Sequence, residues 1–216
     1  PDIGMITSIG PQHLETFGSL ENIKKTKFEL VDSLSEDGVA FLNYEDENVR
    51  SVETNKNKIT YGESEENTYY ATNINIGEFG SEFNVHTKSG EEIPVKTKLL
   101  GEHNIINIVG AVAIAKELGL SNDEIQLGIK LLKPVEHRLE LKQYPNGAII
   151  IDDAYNANTK GAKMAVEVLG RFKTRKKILI TPGIVELGDK LYDYNKEFGK
   201  QAAPNCDYVI LVGEKQ

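Results

Sequence analysis

Apolar and polar positions recur along the chain in patterns that predict regular strands and helices. Short runs rich in apolar residues predict strands at 3–9, 39–42, 139–143, 148–152, 177–181 and 207–212. Apolar residues at helical spacing predict helices at 19–35, 103–118, 122–132, 159–172 and 190–203. Strands that alternate with helices are joined by right-handed crossovers, so the expected fold class is α/β with parallel sheets.

The pattern changes between residues 57 and 100. Polar and apolar side chains alternate there in three segments, 68–74, 83–87 and 93–95, and a Lys88-Ser89-Gly90 turn separates the last two. Alternation with a period of two is typical of strands with one buried face. This region therefore predicts a small antiparallel β insertion within an α/β domain.

A domain boundary is expected at Lys133-Pro134-Val135, because proline cannot continue the preceding helix. We therefore expect two domains, 1–133 and 134–216. The chain enters a strand directly after Pro1 and Asp2 and ends just after another strand. These ends predict a fragment that is cut within a domain on both sides.

Composition narrows the classes of function. Acidic residues outnumber basic ones by 33 to 25, and the net charge of −8 argues against binding to nucleic acid or to an anionic membrane surface. No apolar run has the length of a membrane span. The single cysteine, Cys206, excludes an internal disulfide and fits a reducing compartment, so a cytoplasmic protein is expected.

The segment from Ile149 to Asn158 carries the strongest sign of chemistry. An apolar run ends there in Asp152 and Asp153 and continues into an asparagine-rich turn before a helix. Ligands of parallel α/β folds bind beyond the carboxyl ends of the strands, which is where these acids stand. The ordinary alternative is that Asp152 merely ends a strand and that Asp153 or Asn158 caps the next helix.

Other polar clusters also have ordinary explanations. The clusters are His13 with Glu15, Lys27, the segment 101–107 and the segment 137–140. Lys27 lies in a lysine-rich run that is normally a solvated helix face, Asn104 could be an N-cap, and Arg138 could belong to a surface ion pair. The sequence contains no Gly-x-x-x-x-Gly-Lys-Ser/Thr phosphate loop, no Gly-x-Gly-x-x-Gly, no zinc-like spacing and no nucleophile elbow.

In order and spacing, these clusters resemble one known family, the Mur ligases. The matching segments are 6–10, 13–15, 17–19, 27–29, 101–107, 138–140, 152–158 and 186–189. The string Asp-Asp-x-Tyr-Asn-Ala-Asn at 152–158 is similar to the dipeptide-adding branch of the family. The resemblance covers essentially the whole chain. It implies a central ATP-binding domain that lacks its phosphate loop, followed by a Rossmann-like α/β C-terminal domain.

The resemblance implies ATP and Mg²⁺ as cofactors, and His13, Lys27 and Arg138 as catalytic residues. His13 corresponds to a magnesium ligand, and Lys27 to a lysine that reacts with carbon dioxide to give a carbamate. A carbamate is an anionic oxygen ligand of the kind that Mg²⁺ prefers. Carbamylation needs a neutral amine, so we expect burial or nearby positive charge to lower the pKa of Lys27.

The nucleotide contacts implied by the resemblance lie in both domains. Asn104 and Asn107 correspond to residues that contact the adenine. Arg138 and Asp153 correspond to residues that hold the phosphates and the ribose. The residues expected over the reacting centre, and so at the substrate, are Tyr155, Asn156 and Asn158.

The implied activity is ATP-dependent amide bond formation through an acyl phosphate, in the synthesis of the peptidoglycan precursor. The implied substrates are UDP-N-acetylmuramoyl-tripeptide and D-alanyl-D-alanine, and the implied state is a monomer without nucleic-acid or membrane partners. Without the phosphate loop, the chain by itself is expected to be inactive. Two alternatives remain open: an amide ligase of the same family with a different acceptor, and a non-catalytic nucleotide-binding or scaffold module.

Overall fold

The computed structural model describes residues 1–10, 14–155, 159–185 and 191–213, without the side chains of Leu14, Glu15 and Lys160. The elements in chain order are β1 (Ile3–Ile6), α1 (Leu14–Phe17), α2 (Leu20–Asp32), β2 (Val39–Asn43), α3 (Glu47–Arg50), β3 (Asn57–Gly62), β4 (Tyr69–Gly77), β5 (Gly80–His86), β6 (Glu92–Thr97), α4 (Glu102–Glu117), α5 (Asn122–Leu131), β7 (Glu140–Gln143), β8 (Ile149–Asp152), α6 (Thr159–Gly170), β9 (Ile178–Thr181), α7 (Leu191–Ala202) and β10 (Tyr208–Leu211). None of the described helices is long and apolar enough to cross a membrane.

Internal contacts divide the chain into two compact units. The first contains Pro1–Ile74, Glu82–Val95 and Glu102–Leu131. The second contains Asn75–Ser81, Lys96–Gly101 and Leu132–Gln216.

Strands β1 to β6 form one sheet in sequence order. β1 pairs with β2, and β2 with β3, in parallel. Helix α2 lies against this sheet because Ile23, Phe28 and Val31 fall on one face and are buried in a core with residues of β2. The helix begins where Ser19 Oγ accepts a hydrogen bond from the Asn22 amide at 3.2 Å, which is a standard N-cap.

The region 57–100, which was expected to be a small antiparallel insertion, differs from that expectation in one respect. β3, its first strand, belongs to the parallel part of the sheet, and β4 continues the sheet through a short parallel pairing with β3. The reason is the connection between β2 and β3, which includes α3 and is long enough for a crossover. Strands β4 and β5 are joined by a two-residue turn, which only antiparallel neighbours permit.

The second unit contains two pairs of strands. β9 and β10 pair in parallel, as expected, and α6 and α7 bury Val166, Phe198 and Ala202 in a common cluster. β8, however, pairs with β7 in antiparallel register and not with a parallel neighbour, among the residues that the structure describes. A strand was expected at 148–152 and is present, but the expectation that it pairs in parallel is wrong. The five-residue connection closes with a Tyr144 amide to Ala148 carbonyl bond of 2.9 Å, too tight for a crossover.

Candidate functional site

The site in the second unit is built around a turn that presents Arg138. The residues on either side, His137 and Leu139, have φ angles of 60° and 45°. This left-handed region costs a non-glycine residue roughly 1 kcal/mol or more, so surrounding contacts must hold it. The Leu139 side chain is buried and its amide donates to Asp153 Oδ1 at 3.1 Å. The Arg138 amide donates to the Val135 carbonyl at 3.0 Å.

The Arg138 side chain is exposed and lies against an aromatic ring. Its guanidinium carbon is 4.6 Å from the centroid of Tyr155, a cation–π contact. The Tyr155 amide also donates to the His137 carbonyl at 3.2 Å. This bond holds the backbone at Tyr155 to the turn that presents Arg138, which is called the arginine turn below. Both side chains face solvent, so the guanidinium is available to an anionic ligand such as a phosphate.

Asp153 is half-buried at the end of β8. Burial raises the pKa of its carboxyl group, and the neighbouring charge of Asp152 acts in the same direction. The Leu139 amide and the Arg138 charge oppose this effect. Asp153 is therefore an acid whose ionised form gains from an added positive charge or hydrogen-bond donor.

Asp152 has the opposite environment. Lys142 Nζ lies 2.6 Å from its Oδ2, and His137 Nδ1 lies 2.9 Å from the same oxygen. These two contacts are the main reason that the pKa of Asp152 falls to about 2. Lys142 also contacts Glu140 Oε2 at 3.1 Å.

His137, Glu140 and Asp152 could together hold a metal ion, since one ligand atom from each lies within 4.8 Å of the others. The Lys142 ammonium already contacts both carboxylates. A divalent cation would have to displace it. Mg²⁺ also prefers a shell of oxygen ligands to one that includes histidine, so this group does not fit the expected magnesium site.

Of the residues expected to bind magnesium, the structure places Lys27. Lys27 lies on α2 with an exposed side chain, and it has no hydrogen-bond or ion-pair partner among the residues that the structure describes. Its neighbour Lys24, by contrast, pairs with Glu21 at 3.0 Å. The described residues therefore do not supply the burial that a neutral Lys27 amine was expected to need. His13 lies outside the described residues.

The two adenine candidates lie on one helix of the first unit. Asn104 and Asn107 are three residues apart in α4, so they share a face. α4 begins at Glu102, so Asn104 lies inside the first turn and is not the N-cap that the ordinary explanation supposed. Asn156 and Asn158, the other substrate candidates besides Tyr155, lie outside the described residues, as does the segment 186–189.

Sequence reasoning did not single out Lys142, and it gave His137 no role of its own. The β7–β8 hairpin would have indicated Lys142. In its register Glu140 stands opposite Asp152, and Lys142 lies two residues after Glu140 on the same strand. Residues two apart on a strand share a face, so these three side chains must meet. If residues 144–148 had been recognised as a tight turn, the sequence would have predicted this register.

Two domain families match the chain. The Mur ligase middle domain matches residues 1–115 and the Mur ligase glutamate ligase domain matches residues 137–216. The chain belongs to the Mur ligase family.

Three relatives show how similar the chain is to individual members of the family. The UDP-N-acetylmuramoyl-tripeptide–D-alanyl-D-alanine ligase of Bacillus subtilis is 32% identical over 99% of the chain and 46% of the relative. The enzyme of the same name from Escherichia coli is 31% identical over 100% and 48%. A crystal structure of MurF from Acinetobacter baumannii superposes with a TM-score of 0.82 at 29% identity, over 99% of this chain and 47% of that one. The chain thus spans about half the length of these relatives.

Proposed function

We propose that this chain forms the later part of a ligase that uses ATP to join D-alanyl-D-alanine to UDP-N-acetylmuramoyl-tripeptide. Residues 1–133 would belong to the ATP-binding domain and residues 134–216 to the C-terminal domain. The observation that carries the proposal is the exposed Arg138 guanidinium, held over Tyr155 beside the half-buried Asp153. Asp153 and Tyr155 belong to the string at 152–158, which resembles the dipeptide-adding enzymes. The names of the two relatives above support the same reaction.

The reaction requires two steps. The γ-phosphate of ATP passes to a substrate carboxylate, and the amine of D-alanyl-D-alanine then attacks the acyl phosphate and expels phosphate. Arg138 is placed to bind phosphate oxygens, because its guanidinium is a planar donor that is not consumed by an ion pair among the described residues. Asp153 would accept hydrogen bonds from the ribose hydroxyls, and Asn104 and Asn107 would contact the adenine.

The remaining candidates act at the metal and the substrate. His13 and Lys27, the latter as a carbamate, would hold Mg²⁺, which would neutralise charge on the transferred phosphate. Tyr155, Asn156 and Asn158 would contact the peptide substrate. Charge that develops during amine attack would be stabilised by these positioned groups, and reactants held in place lose little further entropy at the transition state.

The pair of substrates that is joined decides between this proposal and a second candidate. A UDP-N-acetylmuramate–L-alanine ligase of Dictyoglomus turgidum is also 32% identical, over 98% of the chain and 45% of the relative. The full-length protein should be incubated with ATP and either UDP-N-acetylmuramoyl-tripeptide plus D-alanyl-D-alanine or UDP-N-acetylmuramate plus L-alanine. We expect amide product from the first pair alone. Product from the second pair would assign the other activity, and no product or phosphate release from either would favour a non-catalytic module.

A further inference from the structure

Asp152 makes contacts that nucleotide binding does not require. Its Oδ2 accepts from Lys142 Nζ at 2.6 Å and from His137 Nδ1 at 2.9 Å, and its Oδ1 accepts from the Ala154 amide at 3.3 Å. The ionised carboxylate can only accept, so the Nδ1 atom of His137 is the protonated ring nitrogen. Three donors from three places in the chain thus meet on one side chain.

These contacts join the arginine turn to the end of β8. The His137 ring is held by Asp152, and the His137 carbonyl accepts from the Tyr155 amide at 3.2 Å. The Leu139 amide donates to Asp153 Oδ1 at 3.1 Å. The segment 137–139 is therefore tied on both sides of Arg138 to the segment 152–155. Displacement of one segment would displace the other.

The left-handed conformation of His137 needs such a tie. Its φ of 60° is a region that favours glycine, and its backbone is held there by its amide, which donates to Glu140 Oε2 at 3.2 Å, and by its carbonyl, which accepts from the Tyr155 amide. The ring contact with Asp152 supplies a charge-assisted hydrogen bond that opposes relaxation to negative φ. Lys142 in turn fixes Asp152, since its ammonium also reaches Glu140 at 3.1 Å on its own strand.

We propose that Asp152 is a positioning residue for Arg138: anchored by Lys142, it holds the His137 ring and so keeps the turn that places the Arg138 guanidinium over Tyr155. Asp152 itself contacts no substrate. Its effect on ATP rests on the function proposed above, whereas its effect on the Arg138 side chain does not.

The first arm of the test measures the position of Arg138 directly. In the full-length protein labelled with ¹⁵N-arginine, the Arg138 Nε–H resonance is identified by its loss in Arg138→Lys, and the ring-current contribution is defined by Tyr155→Leu. We expect Asp152→Asn and Lys142→Met to move this resonance toward its position in Tyr155→Leu, and Lys142→Arg to restore it. The control Glu197→Gln, which removes an exposed carboxylate paired with Lys200 on α7, should leave it unchanged.

A purely structural role for Asp152 gives a different result. In that case the variants lower the unfolding temperature, but the Arg138 resonance of the folded protein stays at the parent position. This outcome would overturn the proposal. If Asp152→Asn does not fold, Lys142→Met gives the same reading with the carboxylate intact.

The second arm uses a double-mutant cycle on the KM for ATP. We expect Asp152→Asn to raise this KM by about tenfold while kcat changes less, and to have no further effect in the Arg138→Ala background, because coupled residues are not additive. Additive increases would overturn the proposal. If the parent protein shows no ATP-dependent turnover, the proposed function fails, and the resonance of Arg138 still decides whether Asp152 positions it.

Discussion

At the scale of single residues, the two adjacent acids at the end of β8 lie in opposite electrostatic environments. Lys142 and His137 hold the pKa of Asp152 at about 2, so this carboxylate is fully ionised and already paired. Burial raises the pKa of Asp153, so its ionised form gains from an added positive charge or hydrogen-bond donor. Unfavourable environments of this kind are common at functional sites, which supports Asp153 as the acid that meets the ligand.

Replacing Asp153 by asparagine should separate stability from activity. Because the folded-state pKa of Asp153 is raised above its ordinary value of 3.8, the parent protein loses stability as pH rises from 3.8 through the folded pKa. An asparagine at this position does not ionise, so it avoids this loss, and its side-chain oxygen can still accept the Leu139 amide. We expect thermal unfolding at pH 7 to occur at an equal or higher temperature in Asp153→Asn, while kcat/KM for ATP falls by at least about tenfold.

The comparison should be repeated at pH 3.5, where the advantage of the variant should disappear. An Asp153→Asn protein that is less stable than the parent at pH 7 would show that the carboxylate is structural. Unchanged kinetics would remove Asp153 from the nucleotide site.

Lys27 should be required as a metal ligand in its carbamate form and not as a cation. An ammonium would repel Mg²⁺, whereas a carbamate binds it. In the full-length protein, Lys27→Ala should abolish turnover, and short-chain carboxylic acids should partly restore it by taking the vacated ligand position. Lys25→Ala, at an exposed lysine on the same helix, is the matched control and should retain activity. Full activity of Lys27→Arg would identify a solvated helix face instead.

Sequence reasoning singled out Arg138, Asp153 and Tyr155 because each lies in a short string whose order resembles the family, and their roles stay predictions. It could not predict that Lys142 and His137 both donate hydrogen bonds to Asp152. That contact depends on which residues of β7 and β8 stand opposite each other, and on a backbone conformation at His137 that its residue type does not favour.

At the scale of secondary structure elements, apolar runs predicted where strands occur better than how they pair. The apolar run from Ile149 to Ile151 is compatible both with a parallel sheet and with a hairpin. The run alone therefore predicted the wrong pairing for β8. For β8, the five-residue connection from β7 carries that information instead. The same reasoning explains β3, whose long connection from β2 allows a parallel pairing although it opens a region of alternating pattern.

Glycine in α4 shows how tightly that helix packs against the sheet. A Cβ atom on Gly110 would lie 2.8 Å and 2.9 Å from atoms of the fully buried Tyr61 ring. We expect Gly110→Ala to destabilise the protein by about 1–3 kcal/mol through overpacking. Gly128→Ala in α5 is the control: no atom lies within 4 Å of its added Cβ, so the better helix propensity of alanine should stabilise by up to about 1 kcal/mol.

Chemical denaturation of both variants measures the two effects. If Gly110→Ala were as stable as Gly128→Ala, the close approach of α4 to Tyr61 would be wrong. Activity need not be measured for this comparison.

At the scale of the whole molecule, the chain contains candidate contacts for adenine, ribose, phosphate and metal, but its sequence has no phosphate loop. Such loops surround the phosphates with backbone amides and a lysine, and phosphoryl transfer depends on that positioning. The acidic net charge of −8 makes local donors all the more necessary for an anionic nucleotide. Arg138 by itself cannot provide them.

The 216-residue chain by itself should therefore release no phosphate from ATP. Two asparagines, one aspartate and one arginine can contribute contacts, but none of them orients the β- and γ-phosphates for in-line attack. The measurement is phosphate release by the purified chain with ATP and Mg²⁺, beside the Lys27→Ala variant as a blank for contaminating ATPases. Equal, background rates are expected. Release by the parent chain that exceeds the Lys27→Ala rate would mean that the residues described here are sufficient for hydrolysis, and that the need for a separate phosphate loop is wrong.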